Sequence, residues 1–166
     1  MRRAASGGLV GFAGRCWRAV PAGHEAHVLD GTVRVGRYNR PAERTLYLSG
    51  SPAGVAAAMT RYGDATRTMV PLQVVAARLV DLRDADACAR LGIDVARVGE
   101  DWMAALDRGD VPASWTAADR VRAIAADGVI DGSRRLPGAW HLVLFRWNVA
   151  GGPYVSIVDQ GPIRAG

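Results

Sequence analysis

The 166-residue sequence contains no lysine: its 21 strongly basic side chains are all arginine, set against 16 Asp and Glu, for a formal net charge of +5. The surplus is spread thinly, so a diffuse basic surface or a preference for phosphate-bearing small molecules fits as well as a nucleic-acid partner, and direct nucleic-acid binding is not expected. There are only two cysteines, Cys16 and Cys88, too few and too far apart for a disulfide framework or a metal knuckle, and a reducing cytoplasm is the expected compartment. No apolar run reaches the roughly 18 residues of a membrane span; the stretches around Val70 to Val80 and Leu142 to Phe145 are far shorter or carry arginine. The N-terminal MRRAASGGLVGFAG has an arginine pair, but its apolar stretch is broken by glycine and is too short for a secretory core.

Several catalytic signatures are also missing. There is no GxSxG elbow, no Walker loop and no GxGxxG after a strand. His24 and His27 flank Glu25-Ala26 at the wrong spacing for a zincin helix, with no further Cys or His nearby, so no metal is expected. His141 opens an apolar strand and reads as a structural histidine.

What is present is 49% apolar composition, enough for one real core, with 20 Gly and 8 Pro marking frequent turns. No repeat or linker divides the chain, which gives a lead-in over 1–14, one domain over 15–160 and a tail over 161–166. A first strand is expected over 15–20, carrying Arg18, and another over 45–48 after an irregular stretch. Ser51 is placed to cap a helix with Pro52 at its first position and Gly63 at its end. MVPLQVVAARLVDL reads as a buried strand beginning near Pro71, and short helices are expected near 84–91 and 101–108. The clearest helix is expected to start at Thr116, with Asp119 completing a capping pair, and to end at Gly128. Strands near 128–131, 141–147 and 154–158 follow. Irregular alternation with hairpin-like pairs at the end predicts an α+β fold.

Two segments carry chemistry. Gly36-Arg37-Tyr38-Asn39-Arg40-Pro41, with Tyr47 in LYLSGSP, offers a guanidinium for a phosphate and aromatic rings for a planar heterocycle. Asp127-Gly128-Val129-Ile130-Asp131-Gly132-Ser133-Arg134-Arg135 leads a strand into a turn able to receive an anion or a ribose hydroxyl. Half-buried strand tyrosines, a surface charge and an ordinary hairpin turn are the plain alternatives for each. Trp102, Met103 and Leu106 form an apolar group suited to the core or to a partner-facing patch.

The order Cys16-Trp17-Arg18, Gly36-Arg37-Tyr38-Asn39, Leu46-Tyr47-Leu48-Ser49 with a helix after it, then Asp127-Gly128-Val129-Ile130 and Ser133 before the strand Leu142 to Phe145, resembles the RES-domain family. The resemblance covers residues from about 15 to 160. It implies a single-domain α+β, ADP-ribosyltransferase-like mixed sheet with flanking helices. It further implies a cytoplasmic toxin of a type II toxin-antitoxin pair that depletes NAD⁺ by hydrolysis or phosphorolysis of the nicotinamide-ribose bond. Its expected partner is an Xre-type helix-turn-helix antitoxin that occludes the active site.

Carried over residue by residue, the resemblance makes Arg18, Arg37, Tyr38, Tyr47 and Ser133 candidates for holding NAD⁺, with Arg37, Tyr47 and Ser133 in the catalytic set. The family triad is Arg, Glu and Ser, and its glutamate falls about eleven residues beyond the tyrosine, where this sequence has Ala58. The loss matters because cleavage develops positive charge on the ribose, which a carboxylate stabilises; removing such a group costs about 10² to 10⁴ in rate. Glu43 and Asp64 are the nearest carboxylates in sequence, and neither is placed to substitute. An introduced Glu-to-Ala change, an inactive paralogue and a shifted register all account for Ala58; retention of the other pocket residues favours the first. Transfer of ADP-ribose to a host protein, a non-turning NAD⁺- or antitoxin-binding module and, more distantly, a basic ribonuclease are the alternative functions.

Overall fold

The computed structural model describes residues 2–4, 6–60 and 66–158. Seven strands, β1 (Arg2–Ala4), β2 (Leu9–Pro21), β3 (Leu46–Ser49), β4 (Arg67–Asp81), β5 (Gly128–Gly132), β6 (Trp140–Leu144) and β7 (Tyr154–Ile157), lie in one sheet in the order β1-β2-β3-β6-β5-β4-β7. Because β2 pairs with β4 as well as with β3, five of them close into a ring, with β1 and β7 attached outside it. Among the described residues only β4 and β5 run parallel, and every other pair is antiparallel. A parallel pair needs a crossover, and here it contains α2 (Ala85–Arg90), α3 (Val95–Val98), α4 (Trp102–Asp107) and α5 (Ala113–Ala123). The remaining helix, α1 (Pro52–Met59), follows β3. The mixed sheet with flanking helices is the expected α+β architecture.

Strand alternation divides the apolar residues between two cores. Leu46, Leu48, Leu72, Val74, Ile130, Leu142 and Leu144 belong to one, while Val129 and Val143, on the opposite face of β5 and β6, pack with Val121, Ala118 and Val98 of the crossover helices. None of the helices among the described residues is long and apolar enough to cross a membrane.

Local chemistry explains where the elements depart from expectation. The strand expected over 15–20 is β2, which begins at Leu9, well before residue 15, because residues 9–21 pair along almost the whole of β4. Pro71 lies inside β4, opposite Trp17, instead of at its beginning; its carbonyl still accepts from the Val158 N–H. Ser51 caps α1 as expected, accepting from the Gly54 N–H at 3.0 Å, but the helix closes at Met59; Gly63 lies outside the described residues. Helix α5 starts at Ala113 after Pro112, so Thr116 is an interior residue and Asp119 pairs with Arg40 at 2.8 Å. The earlier start is fixed by Ser114 and Trp115, whose side chains donate to the carbonyls of Arg37 and Gly36. Its end is made by Ala125 in the left-handed region, φ 55°, with Arg78 donating to the carbonyls of Ile124 and Ala125. Gly128 is a ladder residue of β5, where a Cβ would collide with the Val143 carbonyl.

Candidate active site

A cleft of about 450 Å³ opens between the loop 32–38, the strands β2, β3, β5 and β6, the helix α1 and the turn 133–135. Arg18, Arg37, Tyr38, Tyr47, Ala58 and Ser133, the residues singled out in the sequence, all border it.

The loop 34–39 is held rigid by its own polar groups. Gly36 and Asn39 form an antiparallel bridge. Asn39 is fully buried, and its Nδ2 donates to the carbonyls of Arg34 and Arg40 at 2.7 and 2.9 Å. Its Oδ1 accepts from the Tyr47 hydroxyl at 2.8 Å, and the same hydroxyl accepts from the Tyr38 N–H at 3.0 Å. Such a saturated network fixes one conformation. Gly36 has to be glycine here: a Cβ would sit 2.6 Å from Asn39 Oδ1 and 2.7 Å from the Tyr47 hydroxyl. Together with the Ser114 and Trp115 bonds, this docks the loop on α5 and leaves Arg37 at the cleft wall.

Beneath the loop, the Tyr38 hydroxyl donates to Asp131 Oδ2 at 2.5 Å, and Arg134 donates to the same oxygen at 2.6 Å. Burial, reinforced by the Asp131 charge, pushes the Tyr38 phenol well above its ordinary range, so it stays protonated. Tyr38 is only 2% exposed, which leaves no ring face for a heterocycle; Tyr47, half-buried, is the tyrosine that offers one. Arg37 and Arg134 also converge on one acceptor, the Val98 carbonyl at the end of α3, each at 3.3 Å, and Arg37 reaches the Glu100 carbonyl at 3.2 Å.

The other expected residues occupy different walls. Arg18 donates to the carbonyls of Val28 and Gly31, both at 3.1 Å, and burial lowers its pKa, opposed by Asp30. It therefore braces the loop after β2 as well as bordering the cleft. The Ser133 hydroxyl oxygen accepts from the N–H groups of Arg135 and Leu136 at 3.4 and 3.2 Å. No described acceptor takes its hydrogen. Ala58 faces the cleft with Val55 and Met59, one helical stripe of α1.

Three cleft residues escaped sequence reasoning as a group. Asp131 is the single carboxylate among the described lining residues. His141 lies opposite both Ser49 on β3 and Asp131 on β5, and its Nδ1 shares a hydrogen bond with Ser49 Oγ at 2.9 Å. Burial is the largest influence on its pKa and lowers it. The strand Trp140–Leu144 was legible, but its neighbours on either side follow only from strand order. Glu43 is engaged elsewhere, accepting from the Arg40 N–H at 2.7 Å, and does not border the cleft; Asp64 lies outside the described residues. His24 and His27 sit on an exposed turn, with His27 bonded to Asp30 at 2.9 Å, and no group of three or more potential metal ligands occurs among the described residues. Trp102 is buried and borders the cleft, whereas Met103 is exposed.

No curated protein matches the chain. Among solved structures, a chain of the M. tuberculosis MbcT-MbcA toxin-antitoxin complex is similar in fold, with a TM-score of 0.57 and 19% identity over 82% of this chain and 76% of that one. The RES-domain model matches residues 15–164, a span that contains the loop 34–39, β3, α1 and the turn 133–135. Those four segments all border the cleft, and the chain that carries them belongs to the RES-domain family.

Proposed function

We propose that this chain is the toxin of a toxin-antitoxin pair, with NAD⁺ as the ligand of its cleft and cleavage of the nicotinamide-ribose bond as its parent chemistry. One observation carries the reading: Arg37, Tyr47, Ser133 and the α1 stripe at position 58, distant in sequence, border one cleft. Arg37 would pair with the diphosphate, the Tyr47 ring would contact the nicotinamide, and the Ser133 hydroxyl hydrogen would reach a ribose or amide oxygen. Arg18 supports the same wall, while Tyr38 holds Asp131 and shapes the floor.

In the reaction, the bond between ribose C1′ and the nicotinamide nitrogen breaks and nicotinamide leaves with the electron pair. Water or phosphate oxygen forms the new bond to C1′, and the proton lost from that nucleophile passes to a base or to solvent. The developing oxocarbenium charge calls for a carboxylate. The described lining has only Asp131, already engaged by Tyr38 and Arg134. Ala58, in the position of the family glutamate, thus supports binding with strongly attenuated turnover in the chain as it stands. The antitoxin, an Xre-type protein by family, would act by covering this cleft in the cytoplasm.

Expression of this chain beside its Ala58→Glu variant, with cellular NAD⁺ and growth followed together, tests the reading. Loss of NAD⁺ and growth arrest only with Ala58→Glu is expected. Unchanged NAD⁺ and growth with a folded Ala58→Glu protein would overturn it. A discrete ADP-ribosylated host protein without bulk NAD⁺ loss would assign transfer to a protein instead.

A further inference from the structure

The cleft carries more positive charge than a diphosphate needs. Among the described lining residues, six arginines, Arg18, Arg34, Arg37, Arg67, Arg134 and Arg135, stand against the single carboxylate of Asp131. A concave surface of one sign focuses the potential on whatever enters. Two of these arginines, Arg34 and Arg135, have no carboxylate partner among the described residues. Arg34 is exposed, and among the described residues its guanidinium makes no hydrogen bond or ion pair; only its backbone groups are engaged, the N–H with Thr32 Oγ1 and the carbonyl with Asn39. Arg135 is exposed and donates to the neutral hydroxyl of Thr60 at 2.6 Å, with no carboxylate partner among the described residues. By contrast, Arg134 is paired with Asp131, and Arg18 feels the charge of Asp30.

NAD⁺ offers only its diphosphate, partly offset by the cationic nicotinamide ring. A phosphate monoester adds about −1.5 to −2 of charge at neutral pH and three acceptor oxygens, the natural partner of guanidinium groups that no carboxylate neutralises. We propose that Arg34 and Arg135 form a separate position for a phosphate monoester, so that the dinucleotide this cleft takes best is the 2′-phosphorylated form, NADP⁺. The proposal rests on the dinucleotide reading above and adds a substrate class to it. The same chemistry would also hold free inorganic phosphate, and the 2′-phosphate is favoured because the two arginines stand on the two loops that border the one cleft, where a tethered phosphate arrives with its nucleotide.

The chain as it stands, without a carboxylate at position 58, permits binding to be read without turnover. Calorimetric titrations with NAD⁺ and NADP⁺ at matched ionic strength, with and without excess inorganic phosphate, test the proposal. NADP⁺ should bind about tenfold more tightly, the effect of a new hydrogen bond to a charged group. Arg34→Gln combined with Arg135→Gln should remove that advantage while leaving NAD⁺ affinity nearly unchanged, and phosphate should compete with NADP⁺. Equal or weaker binding of NADP⁺ would overturn the proposal and leave the NAD⁺ reading intact. Tightening of NAD⁺ binding by phosphate, without an NADP⁺ advantage, would overturn it in favour of free phosphate. Failure of the folded chain to bind either dinucleotide would overturn the underlying reading itself.

Discussion

Tyr38 and Asp131 share a 2.5 Å hydrogen bond that joins the arginine-bearing loop to the central strand β5, and Arg134 closes the same carboxylate from the other side. Tyr38→Phe leaves the buried carboxylate short of one donor. The expected cost is about 1 to 3 kcal/mol of stability, read from urea unfolding midpoints. No change in midpoint would show that Arg134 alone satisfies Asp131.

The raised Tyr38 pKa gives a second readout on the alkaline side. An unfolded tyrosine ionises near 10.0 while the folded one does not, so the unfolded state is favoured as pH rises past that value. Stability of the parent chain should fall more steeply above about pH 10 than that of Tyr38→Phe. Parallel curves for the two proteins would refute the assignment.

His141 sets the acid side. Its folded pKa is lowered from 6.5, chiefly by burial, so its contribution is fully present above 6.5 and is lost as pH falls through the lower folded value. Between pH 7 and 5, on the order of the normal histidine range, the parent chain should lose stability faster than His141→Gln. Equal slopes in thermal melts would show that the imidazole is not desolvated.

Gly36→Ala should dismantle the loop. The added Cβ meets Asn39 Oδ1 and the Tyr47 hydroxyl at 2.6 and 2.7 Å, and both belong to the network that positions Arg37. Destabilisation of about 1 to 3 kcal/mol is expected from the overpacking, along with loss of dinucleotide binding by calorimetry. Retained affinity would mean the loop relaxes without consequence.

Arg37→Ala, added to the Ala58→Glu chain, should abolish NAD⁺ loss and growth arrest, and in the Ala58 chain should weaken NAD⁺ binding by about tenfold or more. Full toxicity of the double variant would remove Arg37 from the site.

The candidate site was legible to the extent that its residues lie in short contiguous motifs. Arg37, Tyr47 and Ser133 stand in loop-strand units whose composition signals exposure and chemistry, whereas Ala58 stands out only through the family's spacing, and the structure puts it on the cleft stripe with Val55 and Met59. Asp131, Ser49 and His141 were not recognised together because their adjacency depends on the strand order β3-β6-β5, which no local pattern encodes. Tyr38 illustrates a different limit: its motif borders the cleft, yet its ring is used up in the core. Helix α5 shows how tertiary contacts override capping signals, since Thr116 and Asp119 have the right spacing but Ser114 and Trp115 are recruited by the loop. Helix α3 spans only Val95–Val98, too short to leave a periodic trace.

The bond between Tyr38 and Asp131 spans 93 residues, and that between Arg37 and Val98 spans 61. Contacts of such separation form late, after the loop-closure entropy has been overcome. During synthesis, one wall of the cleft therefore leaves the ribosome long before the other exists. A nascent chain, or a fragment cut anywhere in the crossover between β4 and β5 and separated from its other half, has only half of the cleft. Any partner that recognises the finished cleft finds nothing to bind until β5 and β6 have been made and have closed the ring.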